Sequence, residues 1–200
     1  MLFRSQMENK VFFHNLTRYS MNICCFIALP AIATLTTLSH SVTGLISGAN
    51  GYENAATTLI ILASMTLTYS ISDMIYNSIL IPMGKEKIYL YTMSGGMLSN
   101  LLLSVILAKL FSSSPSIGIA LATSITDFII LFVLIYLTRE YSFKAIFNKN
   151  NLKILVSAIV VAVISYFANR YLSVFNYSYF ERIIIILLFD AFIYVGLLLI

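Results

Sequence analysis

The sequence predicts an all-α, polytopic membrane protein with about six transmembrane helices. Sixty per cent of its 200 residues are hydrophobic and only 10% are charged, whereas soluble domains carry about 25% charged residues. Six continuous apolar stretches are each long enough to cross a bilayer, which takes about 20 residues in a helix. Their apolar residues do not alternate at period two, and this excludes a transmembrane β-barrel.

The six predicted spans are residues 21–45, 55–80, 88–111, 117–137, 152–168 and 183–200. The segment before the first span has scattered charges and no small-residue cleavage site, so it is not a cleavable signal, and the first span is expected to insert the chain. Pro30 interrupts that first helix. Residues 138–151 are predicted to form an amphipathic connector on the membrane surface.

Lysines and arginines are divided unequally between the two ends of the spans. Nine lie at one end: Arg4, Lys10, Arg18, Lys85, Lys87, Arg139, Lys144, Lys149 and Lys153. Three lie at the other: Lys109, Arg170 and Arg182. Because basic loops stay in the cytoplasm, both termini are predicted to be cytoplasmic. This anchoring also accounts for the net charge of +4 without a nucleic-acid partner.

The sequence has none of the local motifs that mark an enzyme. There is no Walker loop, dinucleotide fingerprint, HExxH motif or serine elbow. The two histidines, His14 and His40, fall in different compartments of the predicted topology. Cys24 and Cys25 are adjacent within a span, where a thiol behaves as a small apolar group. We therefore predict a protein that is not an enzyme, with no cofactor and no metal.

Four spans carry polar or small residues at helical spacing. They are Thr36, Thr37 and His40 in the first, Asp73 and Asn77 in the second, Gly95, Gly96 and Asn100 in the third, and Thr123, Ser124 and Asp127 in the fourth. A polar stripe in lipid has to face other helices or a water-filled cavity. We therefore predict one interior space shared by these four helices. The fifth and sixth spans, with few polar residues, are predicted to face lipid.

Asp127 and Asp73 are the strongest candidates for substrate or ion contacts. An aspartate at a helix centre costs roughly 2.5–3.5 kcal/mol on the insertion scale, so Asp127 is expected to be protonated or to face water or a cation. Further candidate cavity residues are His40, Asn100, Asn77 and Thr123. Structural roles are predicted for Pro30, Gly95, Gly96 and Gly118. Helix packing is the alternative reading of the small and hydroxyl residues, and Asp190 is expected to bond to a neighbouring helix.

Three stretches resemble a known family when taken in order. They are "ALPAIATLTTLSHSVTGLISGANGYENAATTLIILASM", "NSILIPMGKEKIYLYTMSGGMLSNLLLSVILAKL" and "SIGIALATSITDFIILFVLIYLTRE". The resemblance is to the polysaccharide-type (Wzx-type) flippases of the multidrug/oligosaccharidyl-lipid/polysaccharide exporter superfamily. It covers residues 16–140. The matching residues are Pro30, Gly48 or Gly51, Tyr52, Ala55, Pro82, Gly84, Lys85, Asn100, Gly118 and Ala122, with Asp127 where an acidic residue is common.

The resemblance implies an alternating-access transporter with two helical lobes and two extra C-terminal helices. Residues 1–140 would then be the four-span core of the C-terminal lobe, residues 141–200 the two extra lipid-facing helices, and the N-terminal lobe would be absent. The implied substrate is an undecaprenyl-pyrophosphate-linked oligosaccharide for O-antigen or capsule, moved across the bacterial inner membrane. Implied partners are this lipid, membrane lipids, and the missing lobe or a second chain.

Such a substrate needs buried cations, and the sequence offers only His40 and Lys109 near any cavity. We therefore expect the chain to be inactive alone. Two other functions stay open at this point. One is a multidrug or cation antiporter with Asp73 or Asp127 as its proton or Na⁺ site. The other is a non-transporting membrane scaffold for glycan assembly.

Overall fold

The computed structural model describes residues 10–48, 53–175 and 177–199; Arg4, Gly51 and Tyr52 lie outside them. Its helices are α1 (Lys10–Ser47), α2 (Glu53–Ala63), α3 (Met65–Ile75) with a π-helical turn (Tyr76–Leu80), α4 (Glu86–Leu110), α5 (Pro115–Leu137), α6 (Arg139–Ile146), α7 (Lys149–Val174) and α8 (Tyr179–Leu199). The described residues contain no strand, and six helical segments are long and apolar enough to cross a membrane. The predicted fold class is confirmed.

The six spans cross in alternating directions, so the molecule has two ends. The first end holds the start of α1, the turn between α3 and α4, helix α6 and the end of α8. Here the Nζ of Lys153 donates to the carbonyl oxygen of Leu198 at 3.2 Å. The second end holds the α1–α2, α4–α5 and α7–α8 connections. Here the side-chain amide of Asn54 donates to Ser114 Oγ at 2.7 Å.

Helix α1 is the centre of the packing and contacts α2, α3, α6, α7 and α8. Helix α5 forms a second centre, in contact with α2, α3 and α4. Helix α4 packs mainly on α5 and also contacts the π-helical turn, and within the described chain it has no buried residue. One wide face of α4 is therefore unpartnered by the described residues.

Two helices extend furthest beyond their predicted spans. Helix α1 begins at Lys10 instead of residue 21, and α7 continues to Val174 instead of residue 168. Hydropathy locates the part of a helix that lies in lipid, whereas the hydrogen-bonded helix continues through polar residues such as Asn169 and Arg170. Helix α1 ends at Gly48, whose φ of 68° is in the left-handed region that favours glycine.

Pro30 leaves one carbonyl of α1 without its helical partner. Proline has no backbone N–H, so the carbonyl oxygen of Phe26, four residues earlier, loses its usual donor. In lipid such a group has to be satisfied within the protein. The hydroxyl of Tyr194 on α8 donates to this oxygen at 2.9 Å, and the Tyr194 side chain is buried. The proline thus creates a bonding site for the last helix.

This arrangement predicts that the cost of Tyr194→Phe depends on Pro30. In the native chain, loss of the hydroxyl should lower the free energy of unfolding by about 0.6–1.7 kcal/mol, the range for interhelical hydrogen bonds in membranes. In a Pro30→Ala chain the restored N–H of residue 30 satisfies Phe26, so the same substitution should cost much less. Unfolding of the four variants in mixed micelles gives the coupling energy. Equal costs in both backgrounds would contradict this account.

Asp190 is buried where α8 meets α7. Its side chain is 3% exposed, and Ser165 Oγ on α7 donates to Asp190 Oδ1. This is the bond to a neighbouring helix expected from the sequence. Ser165 is also fully buried and lies within hydrogen-bond distance of the carbonyl oxygen of Val161. Ser165 and Asp190 therefore hold α7 to α8, and the exposed residues in the middle of these two helices, within 155–167 and 184–199, are apolar.

Candidate functional site

The predicted site residues fall into two groups. His40 lies on the second half of α1, near the second end of the molecule. The other five lie on α3, the π-helical turn, α4 and α5: Asp73, Asn77, Asn100, Thr123 and Asp127. The structure therefore separates His40 from the carboxylates, and each group has its own surroundings.

Helix α3 presents an exposed polar stripe. Tyr69, Asp73 and Asn77 follow one another at a spacing of four, and all three are exposed. The side-chain amide of Asn77 donates to the carbonyl oxygen of Asp73 at 3.0 Å. An exposed carboxylate and amide inside a span require water or protein opposite them, because lipid satisfies neither.

The π-helical turn continues this stripe, because Asn77 lies within it. At its end the backbone N–H of Ile81 donates to the carbonyl oxygen of Tyr76 at 2.9 Å, which adds one residue to the helical repeat. Tyr76 stacks on Tyr89 of α4, with ring centroids 4.1 Å apart and an angle of 24° between the rings. Short π-helical segments are frequent at functional sites. The turn and the stack attach the stripe to the start of α4.

Asp127 lies on the packed side of α5. It is half-buried, and its helix face is shared with Ser124, whose hydroxyl donates to the carbonyl oxygen of Ile61 on α2 at 3.2 Å. Oxygen Oδ2 of Asp127 is buried and has no hydrogen-bond partner among the described residues. A carboxyl oxygen in such a position calls for a proton, a cation or a polar group from elsewhere.

Asn100 and Thr123 bond within their own helices. Ser104 Oγ donates to Asn100 Oδ1 at 2.9 Å, and Thr123 Oγ1 donates to the carbonyl oxygen of Ile119 at 3.0 Å. These bonds satisfy the side chains locally, as hydroxyl residues in membrane helices often do. Neither bond reaches a neighbouring helix, so the geometry of these two residues is compatible with packing alone.

Two of the candidate structural glycines lie where α4 meets α5. A Cβ atom at Gly118 would meet the backbone of Leu107 and Ala108, and one at Gly96 would meet the side chain of Ile130. A Cβ atom at Gly95 would have no neighbour within 4 Å in the described chain. The α4–α5 approach therefore depends on Gly118 and Gly96, while Gly95 lies on the open face of α4.

His40 lines a cavity of about 840 Å³ between α1, α7 and the start of α8. Its polar lining includes Asn169, Arg170, Ser173 and Arg182, and among the described residues that line it there is no aspartate or glutamate. The expectation that only His40 and Lys109 supply cations near a cavity is therefore wrong. The sequence places Arg170 and Arg182 at the ends of spans, where membrane topology is a sufficient explanation for a basic residue.

The cavity also changes the prediction for the polar stripe of α1. The side-chain amide of Asn169 on α7 donates to the carbonyl oxygen of Thr37 at 2.9 Å, and Ser41 Oγ donates to Asn169 Oδ1 at 3.4 Å. The second half of the α1 stripe therefore faces α7.

The fold defines a multi-pass helical membrane protein, and its six spans follow the arrangement of a known transporter. No protein-family model and no curated protein matches the sequence. Among solved structures, the chain is similar to the lipid II flippase MurJ in its inward closed conformation, with a TM-score of 0.76 and 21% sequence identity. The match covers 98% of this chain and 40% of that chain. The chain thus has the fold of part of a flippase and spans less than half of its length.

Proposed function

We propose that this chain forms part of a membrane transporter that moves a lipid-linked oligosaccharide from one leaflet to the other. The observation that carries the proposal is the fold similarity to a lipid II flippase over almost the whole chain. Because that flippase is much longer, translocation is proposed to need further helices, from the same polypeptide or a second chain. The 200 residues alone are expected to be inactive.

The distribution of polar residues supports this proposal. The stripe of Tyr69, Asp73 and Asn77 is exposed within a span, and α4 has a wide unpartnered face. Both features suit a surface that closes against other helices around a polar path. The proposed substrate is an undecaprenyl-pyrophosphate-linked repeat unit for O-antigen or capsule, as the sequence resemblance implies. The proposed location is the bacterial inner membrane with both termini cytoplasmic, in line with the basic first end.

A chimera tests the proposal directly. In it, this chain replaces the matched 40% of the lipid II flippase MurJ. The chimera, the intact flippase and this chain alone are placed in vesicles with a fluorescent undecaprenyl-pyrophosphate-linked oligosaccharide, and a membrane-impermeant quencher reports movement between leaflets. We expect movement with the chimera and none with the chain alone. A chimera that is helical and monodisperse but no faster than empty vesicles would contradict the proposal.

A proton- or Na⁺-coupled antiporter is the second candidate, favoured by the buried, unpartnered Oδ2 of Asp127 in the described chain. Such a transporter would move a cationic dye when a pH or Na⁺ gradient is applied. The proposed flippase would move the fluorescent lipid in the same vesicles. The two readouts therefore distinguish the candidates without any change to the chain.

A further inference from the structure

The cavity between α1, α7 and α8 has its cations at one end and apolar groups at the other. Arg170 and Ser173 lie near the second end of the molecule, while Val163 and Phe167 lie deeper along α7. Seven residues separate Val163 from Arg170, which at 1.5 Å per residue is roughly 10 Å along the helix axis. This order, charged at the membrane surface and apolar below it, matches the order of groups in a lipid.

Arg182 is held in position and has no acidic partner among the described residues that line the cavity. Its guanidinium lies over the ring of Tyr179 at 4.7 Å, and its Nε is buried without a hydrogen-bond partner in the described chain. The adjacent carboxylate, Glu181, accepts from the backbone N–H of Ser178 at 2.9 Å in a capping box. Glu181 thus caps the start of α8. A buried, unpaired guanidinium nitrogen calls for an acceptor.

The wall that carries Arg170 is fixed by hydrogen bonds. Its neighbour Asn169 bonds to Thr37 and Ser41 of α1. On the other side, a Cβ atom at Gly44 would come within 2.8 Å of the Tyr179 ring, so glycine makes room for the tyrosine that supports Arg182. The two arginines therefore line one cavity from two different helices, α7 and α8, and His40 lines it from α1.

We propose that this cavity binds a phosphate-bearing anionic membrane lipid, with its phosphate held by Arg170 and Arg182 and an acyl chain beside Val163 and Phe167. Guanidinium groups bind phosphate through paired, charge-assisted hydrogen bonds. The site does not rest on the proposed transport function, because binding requires no movement of the lipid between leaflets.

Native mass spectrometry of this chain in neutral detergent tests the site, with dioleoyl phosphatidic acid and dioleoyl phosphatidylcholine as probes. We expect one phosphatidic acid to bind in preference to phosphatidylcholine. Arg170→Gln with Arg182→Gln should weaken phosphatidic acid binding about tenfold or more, because each arginine donates to a charged acceptor. Arg139→Gln is the matched control, since Arg139 also lies over a tyrosine, Tyr136, but at the first end. It should change binding by less than about twofold.

Several results would overturn the site. They are equal binding of the two lipids, native affinity in the double variant, or an equal loss with Arg139→Gln. Inorganic pyrophosphate is added as a competitor, and pyrophosphate that binds while phosphatidic acid does not would show a site for free anions and reject a lipid occupant. If circular dichroism shows the double variant to be unfolded, Ser173→Asp decides instead. That exposed position would place a carboxylate in the cavity, and unchanged lipid binding would reject the proposal.

Discussion

Replacing Gly118 by leucine is expected to separate α4 from α5 and to lower the free energy of unfolding by about 3 kcal/mol. A Cβ atom at this position would lie 2.7 Å from the carbonyl carbon of Leu107 and 3.0 Å from the backbone nitrogen of Ala108. These are backbone atoms of α4, so no side-chain rotation can relieve the contact. Because α5 is the main packing partner of α4 among the described elements, the attachment of α4 depends on this approach.

Gly95→Leu is the matched control for this prediction. Gly95 lies on α4, and a Cβ atom there would have nothing within 4 Å in the described chain. The free energy of unfolding should therefore not fall, and it should rise by up to about 1 kcal/mol because leucine favours the helix more than glycine does. Denaturation of both variants in mixed micelles, followed by far-ultraviolet circular dichroism, measures the difference. If Gly118→Leu unfolds at the native midpoint, the two helices do not rely on close backbone contact.

The fold was largely predictable from the sequence, because each span is a continuous apolar stretch of sufficient length. The helix ends were less so. Asn169 and Arg170 are polar and fall outside the apolar stretch of the fifth span, yet they continue α7. The energetic reason is that lipid selects apolar residues, whereas a helix end is selected by capping and turn geometry. Hydropathy therefore predicts which residues lie in lipid, but it does not predict where a helix ends.

The neighbours of the polar stripes could not be predicted. Helical spacing identifies which residues share a face, but it does not identify the helix opposite that face. Thr37 and Ser41 share a stripe with His40, and only the packed structure shows that Asn169 of α7 bonds to them. Likewise Tyr194 and Phe26 are far apart in sequence. Pro30 indicates that the carbonyl oxygen of Phe26 lacks its helical donor, but it does not indicate which helix supplies another one.

The two arginines of the cavity illustrate the same limit. Arg170 and Arg182 flank the connection between α7 and α8, where a basic residue is expected to sit near a lipid headgroup layer. Nothing in their spacing indicates that both turn toward α1. The carboxylates are different, because an aspartate within a span is costly wherever it points. This cost, together with the polar stripes of their helices, singles out Asp73 and Asp127 from the sequence alone.

Replacing Asp73 and Asn77 together by leucine is expected to abolish lipid movement by the chimera while the protein stays folded. On the insertion scale, aspartate costs about 2.5–3.5 kcal/mol at a helix centre and leucine gains about 0.3–0.6. Both native side chains are exposed, so leucine fits without a clash and should favour insertion. If the stripe lines a polar path, however, the path loses its carboxylate and amide. We expect a rate at least about tenfold lower, the equivalent of one lost charge-assisted hydrogen bond.

A lipid environment and a polar environment of the stripe predict opposite results for this double variant. A stripe that faces lipid would make the double variant more stable with no loss of transport, whereas a stripe that faces water or another lobe would lose transport with stability retained. Glu140→Leu is the control, because it also removes an exposed carboxylate but lies on α6, outside the spans. Vesicle transport and unfolding in micelles are measured on the same preparations. Undiminished transport in the double variant would remove Asp73 and Asn77 from the proposed path and leave Asp127 as its remaining acidic candidate.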